Sequence, residues 1–194
     1  MRTTSKTGLD LIKSFEGFVG HAYKPVSAEP FFTIGFGHYG RDVKATDTIT
    51  KARAEELLKS DLKVYEAKVN IFDNDYKWTQ NEFDALVSFC YNVGSIVQLT
   101  QNGTRSKKQI AEAMTRYVKD VSGNTLQGLV RRRKAEKELF LKNDNVSHET
   151  FNYTESTTIK EIVDDIIAGK YGNNENRRDN VYKVIQGFVN KRFS

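Results

Sequence analysis

The stretch HAYKPVSAEPFFTIGFGHYG, residues 21–40, decides the fold, because it interrupts a largely helical sequence with short strands and turns. It carries both prolines of the chain and an apolar run broken by a single Thr33. Gly35 and Gly37 fall on the same side of a strand as Thr33 when residues are counted in twos. We expect this bare strand face to let a ligand lie close to the backbone, although a bulge or tight backbone packing would explain the same glycines.

The polar residues of this stretch are candidates for contacts with a ligand. A hydroxyl on a bare strand face, such as that of Thr33, can hold a water molecule or a sugar hydroxyl. His38 points to the opposite face by the same count, where its ordinary role is structural, with ring nitrogens satisfied by hydrogen bonds. We keep Gly35, Gly37 and His38 as candidate binding residues, with the structural roles as the alternatives.

Helical segments surround this stretch in the sequence. Residues 5–16 carry an apolar face, with Thr7 as the predicted N-cap, Asp10 completing a capping box and Gly17 as the stop. The segment LQGLVRRRKAEKELF, residues 126–140, predicts a closing helix. Three more helices are predicted to begin after the capping residues Thr50, Thr79 and Ser106. One small β region embedded in helices is typical of the α+β class.

The sequence predicts a division into two parts near residue 143. Residues 1–142 contain all the elements above and form the first predicted domain. Residues 143–157 are polar and lack periodicity, which predicts a linker, and residues 158–194 carry apolar helical stripes, which predict a small helical module.

Composition and charge narrow the function classes. With 194 residues and 21 Phe and Tyr residues, the chain is long enough to bury a core. The net charge of +5 favours anionic partners weakly, but it is not gathered into a basic stripe with interleaved aromatic residues, which argues against nucleic acid. No segment reaches the ~20 apolar residues of a membrane span, and no secretory signal follows Met1.

Cysteine and histidine usage points away from metal chemistry. The single Cys90 lies among apolar residues and is predicted to be a buried core residue rather than a nucleophile. No cluster of Cys and His has the spacing of a metal site, and no glycine-rich phosphate loop precedes a helix. We therefore expect no metal and no cofactor.

Glu16 is the candidate with the clearest chemical rationale. It ends the first predicted helix, where the negative end of the helix dipole disfavours an ionised carboxylate. Phe15 and Phe18 on either side would exclude water and act in the same direction. A carboxyl held protonated near neutral pH is what a general acid requires, whereas a solvated surface glutamate is the alternative.

A series of motifs follows in order: LIKSFEGF, AYK, TIGFGHYG, TITKARAEELLKSDL, QNEFDALVSFCYNVG and LQGLVRRRKAEKELF. Together they resemble the phage lysozymes of glycoside hydrolase family 24, and most of all the endolysins of small podoviruses of Gram-positive hosts. The resemblance covers about residues 5–142 and implies a lysozyme fold, with a small sheet lobe, a larger helical lobe and a cleft between them. It also implies hydrolysis of the β-1,4 bond between N-acetylmuramic acid and N-acetylglucosamine in peptidoglycan.

The resemblance assigns roles to individual residues. The family uses a Glu, then an Asp or Cys, then a Thr, which implies that Glu16 is the general acid and Thr33 is the threonine. The position of the middle member is Pro25, which carries no acid. The segment from there to Thr33 is longer than in the commonest form, and Glu29 is its only carboxylate. We therefore predict that Glu29 replaces the missing acid, with an exposed loop charge as the alternative.

Two further positions follow from the same resemblance. Asn92, in YNVG, matches a position that faces the cleft from the helical lobe. The run from Arg131 to Arg133 matches a basic stretch of the family, although such a run on its own predicts a solvated helix face.

The final segment, TIKEIVDDIIAGKYGNNENRRDNVYKVIQGFVNKRF, resembles the short cell-wall-binding repeat of the Cpl-seven type found behind some streptococcal phage lysozymes. Tyr171 stands where that repeat usually has Trp, and it could supply a stacking face for a sugar. The candidate binding residues of this module are Tyr171, Gly172, Asn173 and Arg177.

The sequence therefore predicts a modular phage endolysin, a muramidase domain tethered to one wall-binding module, acting as a monomer on peptidoglycan glycan strands. A lytic transglycosylase that uses Glu16 alone, a virion-associated wall-binding protein and a nucleic-acid binder are the alternatives. The family implies synthesis in the host cytoplasm during infection and release to the wall through a holin pore, without insertion into the membrane.

Overall fold

A computed structural model of the protein describes residues 1–142. The chain divides into two units, Met1–Leu141 and Lys142–Ser194. The predicted linker at 143–157 and the predicted helical module at 158–194 lie outside the described residues. The same holds for the candidate binding residues of that module, which are Tyr171, Gly172, Asn173 and Arg177.

Helix α1, Lys6–Glu16, leads directly into the sheet. Its N-cap is Ser5, whose hydroxyl accepts a hydrogen bond from the backbone N–H of Thr7, so the cap predicted at Thr7 is wrong. The predicted end of the helix is confirmed. Gly17 follows the last residue with a positive φ of 70°, a conformation that glycine adopts at little cost.

A three-stranded antiparallel sheet comes next, in the order β1, β2, β3. Its strands are β1 Val19–Tyr23, β2 Phe32–Gly35 and β3 His38–Gly40. Thr33 pairs with Tyr23 on β1 and with Tyr39 on β3, so these three side chains share one face. Ile34 pairs with His38, which places His38 on the opposite face from Thr33, as predicted.

The two glycines do not form the continuous bare strand face that the sequence predicted. Strand β2 ends at Gly35, and Phe36 and Gly37 turn the chain into β3. Because φ is 72° at Gly35 and 95° at Gly37, the alternation of side-chain directions stops before Gly37. A methyl group on Gly35 would lie 2.9 Å from Cβ of Ala54, so this glycine allows tight packing of β2 against the next helix.

Six further helices follow the sheet within residues 1–142. They are α2 Lys51–Asn70, α3 Asp73–Tyr76, α4 Gln80–Val93, α5 Val97–Thr100, α6 Lys107–Met114 and α7 Gln127–Leu141. The predicted caps Thr50, Thr79 and Ser106 are confirmed, because each hydroxyl accepts from a backbone N–H three residues later. Thr79 and Ser106 form complete capping boxes with their N3 residues, which return the hydrogen bond.

Helix α4 lies at the centre of the helical body and packs against α1, α2 and α7. Every residue from Glu82 to Cys90 is buried, which is typical of a helix enclosed by other helices. Cys90 is fully buried and burial raises its pKa to about 11, so its predicted place in the core is confirmed. A small sheet beside a larger helical body confirms the α+β class. None of the helices in residues 1–142 is long and apolar enough to cross a membrane.

Candidate active site

The carboxylate of Glu16 is the centre of the candidate site. Its side chain is 23% exposed, and Nη1 of Arg132 on α7 donates a charge-assisted hydrogen bond to Oε1 at 2.6 Å. Aromatic residues lie on either side of Glu16 in the sequence. Phe15 packs against the guanidinium of Arg132, whose central carbon is 5.5 Å from the ring centroid, and Phe18 packs on Phe36 with centroids 5.6 Å apart.

The turn between β2 and β3 approaches the same carboxylate. A methyl group on Gly37 would lie 3.9 Å from Oε2 of Glu16 and 3.1 Å from the hydroxyl oxygen of Tyr91. The Tyr91 hydroxyl donates a hydrogen bond to the backbone carbonyl of Phe36 at 3.1 Å, which fastens the turn to α4. The structure therefore brings Glu16 and Gly37 together, with exposed, side-chain-free backbone next to Oε2.

A buried cluster of charges lies behind Glu16. Arg132 is 4% exposed and both Arg133 and Glu136 are fully buried, so the solvated face predicted for the arginine run is wrong for two of its three members. Arg131 alone is exposed. The arginines tolerate burial because each has a carboxylate partner, and because Arg133 also stacks over Phe89, 4.7 Å from the ring centroid.

Glu136 joins the members of this cluster. Its Oε1 accepts hydrogen bonds from Oγ of Ser88 at 2.8 Å, Nε of Arg132 at 3.1 Å and Nη2 of Arg133 at 3.2 Å. Burial raises the pKa of Glu136, an effect that the two guanidinium groups and the Ser88 hydroxyl oppose. Nη2 of Arg133 also donates to Oδ1 of Asn92 at 2.8 Å, so this exposed asparagine is oriented by the cluster.

Both the sequence and the fold of this chain match known proteins. Residues 13–136 match the family model described as phage lysozyme. The chain belongs to the phage lysozyme family. It is 40% identical over 169 residues to the endolysin of Bacillus phage B103, a match that covers 82% of this chain and 62% of that protein. It is 43% identical over 151 residues to the endolysin of Lactococcus phage c2, covering 75% of this chain and 65% of that protein.

A solved structure of the same kind confirms the lysozyme-like fold. The muramidase domain of SpmX from Asticaccaulis excentricus superposes with a TM-score of 0.64 and 34% identity, over 74% of this chain and 100% of that one. The chain thus spans a complete domain of this kind, but it spans less than two thirds of the length of the two phage endolysins.

The structure places the other predicted members of the phage lysozyme site on the sheet lobe. Thr33 lies within β2 and is 7% exposed, between Tyr23 and Tyr39. Glu29 lies in the loop between β1 and β2, where it forms no ion pair with any described residue and its Oε2 is buried without a hydrogen-bond partner. No hydrogen bond within residues 1–142 links Glu29 or Thr33 to Glu16, and Pro25 is exposed.

His38 connects the sheet to α2. Its Nε2 lies 3.0 Å from a carboxylate oxygen of Asp42, and its Nδ1 lies 2.9 Å from a carboxylate oxygen of Asp61. Desolvation lowers the pKa of His38, but the hydrogen bonds with Asp42 and Asp61 outweigh it and the net pKa is raised. Both ring nitrogens are engaged, so the structural role, rather than substrate binding, fits this residue. Across residues 1–142, no group of three or more His, Cys, Asp and Glu side chains is placed to hold a metal ion.

Sequence reasoning missed the roles of Arg132, Glu136 and Tyr91. The spacing of Arg132 and Glu136, four residues apart on one helix, was the available signal for a charge pair. Nothing local in the sequence shows that this pair is buried, because its partners Ser88 and Glu16 come from distant helices.

His38→Gln tests the histidine bridge. We expect the wild-type protein to be more stable than His38→Gln at mildly acidic pH. The difference should be about 1 kcal/mol or less, because Asp42 is largely exposed and screened by solvent. A raised folded-state pKa means that this stabilisation is complete below the unfolded value of about 6.5 and is lost as pH rises through the folded value. The hydrogen bond from His38 lowers the pKa of Asp42, so the stabilisation also fades as pH falls through that lowered value.

The measurement is the free energy of unfolding by denaturant from about pH 3 to 9, with His21→Gln as the matched loss of an exposed histidine. A stability difference between wild type and His38→Gln that did not change with pH would contradict the expectation.

Proposed function

We propose that this chain carries the wall-degrading domain of a phage endolysin, a lysozyme of glycoside hydrolase family 24. It hydrolyses the β-1,4 bond between N-acetylmuramic acid and N-acetylglucosamine in peptidoglycan. Membership of the phage lysozyme family over residues 13–136 supports this reaction class. The observation that carries the proposal is the carboxyl group of Glu16, held at one oxygen by Arg132 and placed beside the bare backbone of Gly37.

Glu16 acts as the general acid in this mechanism. Arg132 holds Oε1 of Glu16. The other oxygen, Oε2, lies next to Gly37 and therefore presents the proton to the leaving sugar. The missing side chain at Gly37 leaves room for the glycosidic oxygen there. As the proton leaves, the carboxylate that forms is stabilised by the guanidinium that is already in place.

Thr33 and Glu29 complete the mechanism from the sheet lobe. Thr33 is fixed within β2 and positions the attacking water beneath the sugar ring. Glu29 acts as the base that activates this water, since Pro25 has no acid and the buried Oε2 of Glu29 has no hydrogen-bond partner among residues 1–142. The proposed roles are those of an inverting enzyme, in which the two carboxyl groups are expected to stand about 6.5–9.5 Å apart with the water between them.

Glu16→Gln tests the general acid. The amide keeps the shape of the side chain but has no acidic proton to give, so lysis should fall by orders of magnitude while folding is unchanged. Glu138→Gln, which removes an exposed carboxylate from α7, is the matched control and should retain activity. Turbidity loss of purified cell walls is the measurement, and lysis by Glu16→Gln at the wild-type rate would overturn the assignment.

Glu29→Gln and Thr33→Ala test the water-activating side. Each should reduce the rate at least about tenfold, which corresponds to roughly 1.4 kcal/mol of barrier. The product should carry a new reducing end with inverted anomeric configuration, which NMR of the early product detects. A silent Glu29→Gln together with an inactive Glu16→Gln would remove Glu29 from the mechanism.

A lytic transglycosylase is the second candidate, favoured by one observation. Glu16 is the only predicted catalytic carboxylate that the structure fixes by an ion pair, whereas Glu29 has none among residues 1–142. A transglycosylase needs a single acid–base group and releases anhydromuramic ends in place of reducing ends. Mass spectrometry of digested peptidoglycan separates the two reactions, because the hydrolytic product is heavier by one water.

The C-terminal residues supply the partner contact in this proposal. Residues 158–194 form a wall-binding module of the Cpl-seven type, joined by a linker at 143–157, and Tyr171, Gly172, Asn173 and Arg177 bind wall sugars. The protein works as a monomer on glycan strands, is made in the host cytoplasm and reaches the wall through a holin pore.

Truncation after residue 145 tests the module. The first unit has its own core, so the shortened protein should fold and cleave soluble fragments at the wild-type rate. It should pellet less with intact walls, because a tethered module raises the local concentration of the enzyme at its substrate. Tyr171→Ala in the full chain is the companion variant. Equal pelleting of the full and shortened proteins would show that the tail does not bind walls.

A further inference from the structure

The carboxyl group of Glu136 on α7 is buried behind Glu16, and the mechanism above gives it no role. We propose that Glu136 is a positioning residue for the reaction: it fixes the guanidinium of Arg132 against Glu16 and offsets the positive charge of the cluster. The inference rests on the proposed function, because it concerns the step in which Glu16 gives up its proton.

The three nitrogens of Arg132 show how the positioning works. Nε donates to Oε1 of Glu136 at 3.1 Å, Nη2 donates to the backbone carbonyl of Ser88 at 3.2 Å, and Nη1 donates to Glu16 at 2.6 Å. A guanidinium is a rigid plane, so the two contacts on the buried side determine the direction of the third. At 4% exposure, Arg132 is also shielded from water that could replace these partners.

The surroundings of Glu136 suit an ionised carboxylate. Oε1 accepts from three donors, on Ser88, Arg132 and Arg133, and Oε2 lies 2.9 Å from Nε of Arg133 in an ion-pair contact. Every polar atom against the carboxylate is therefore a donor. A buried carboxylate needs such partners, and removing one member of the cluster leaves a charge uncompensated.

The charge of Glu136 sets the net charge of the cluster beside Glu16. The cluster of Arg132, Arg133 and Glu136 carries one net positive charge, whereas without Glu136 it would carry two. Positive charge near a carboxyl group favours its ionised form, so the loss of the Glu136 charge would strengthen the positive field beside Glu16. Glu136 therefore limits that field, while its partner Arg132 stabilises the carboxylate that forms on Glu16.

The elements around Glu16 carry other titratable groups. Tyr91 on α4 and Tyr65 on α2 are kept neutral, because desolvation raises the pKa of both. On α1, Lys13 is paired with two carboxylates. His38 at the start of β3 has a pKa raised by its hydrogen bonds with Asp42 and Asp61, and it is present in every variant below, so its contribution cancels in the comparison.

Glu136→Gln is the decisive variant, since it removes the charge and keeps the shape. We expect the alkaline limb of its kcat–pH profile to move to lower pH by about one unit, with much of the wild-type kcat recovered at acidic pH. Initial rates on soluble glycan fragments give kcat and KM at each pH, and circular dichroism checks that the variant is folded. A folded Glu136→Gln protein whose limb stays at the wild-type pH overturns the proposal.

Two companion variants separate the effect of the Glu136 charge from the effect of its position. They also keep the proposal testable if Glu136→Gln does not fold. Glu136→Asp keeps the charge but withdraws it from Arg132, so the limb should stay in place while kcat falls by about tenfold with KM unchanged. Wild-type kcat in Glu136→Asp would refute the positioning role. Ser88→Ala removes a neutral donor from the same Oε1, so a limb shift as large as that of Glu136→Gln would mean general loosening and would also refute it.

The role of Glu136 can be refuted while the proposed function stands, and the two failures can be told apart. If Glu16→Gln retains activity, Glu16 is not the acid and the proposed function itself fails. If Glu16→Gln is inactive and the limb of Glu136→Gln is unmoved, the lysozyme assignment stands and only the role of Glu136 is lost.

Discussion

Two guanidinium groups buried on α7 are the constraint on which the candidate site depends. Burying a charge is costly unless partners surround it, and here the partners come from three different helices. Glu136 belongs to α7 itself, Ser88 belongs to α4, and Glu16 ends α1. All of these contacts can form together only when α7 has one particular rotation about its axis. That rotation places Arg132 against Glu16.

Helix α4 relates the sheet to the same cluster. Ser88 and Tyr91 are three residues apart and therefore lie on the same face of this helix. Ser88 contacts Arg132 and Glu136, whereas Tyr91 holds the turn at Phe36. One turn of one helix thus sets the position of both the guanidinium and the side-chain-free backbone, and the carboxylate of Glu16 lies between them.

The parts of the fold that sequence analysis predicted are those with local causes. A capping box needs residues only three positions apart, so Thr79 and Ser106 were identified correctly. The end of the first predicted helix and the family motif both pointed to Glu16, which the structure brings together with Gly37. Glu29 stays a prediction, because its role depends on a loop that the family pattern does not cover.

The errors arose where long-range contacts or unusual backbone conformations decide the outcome. Counting residues in twos along β2 gives the wrong side-chain direction beyond Gly35. Positive φ values at Gly35 and at Gly37 end the alternation of side-chain directions there. The burial of Arg132 could not be predicted from a basic run, since one of the two carboxylates that it contacts lies 116 residues earlier in the chain.

That separation has a consequence for how the protein comes into being. The ribosome makes Glu16 near the beginning of the first unit and Arg132 near its end, so a nascent chain that still lacks α7 has an acid without its guanidinium. Closing a contact of such long range costs more loop entropy than forming the local contacts of a helix. The contact between Arg132 and Glu16 can therefore form only after α7 has been translated.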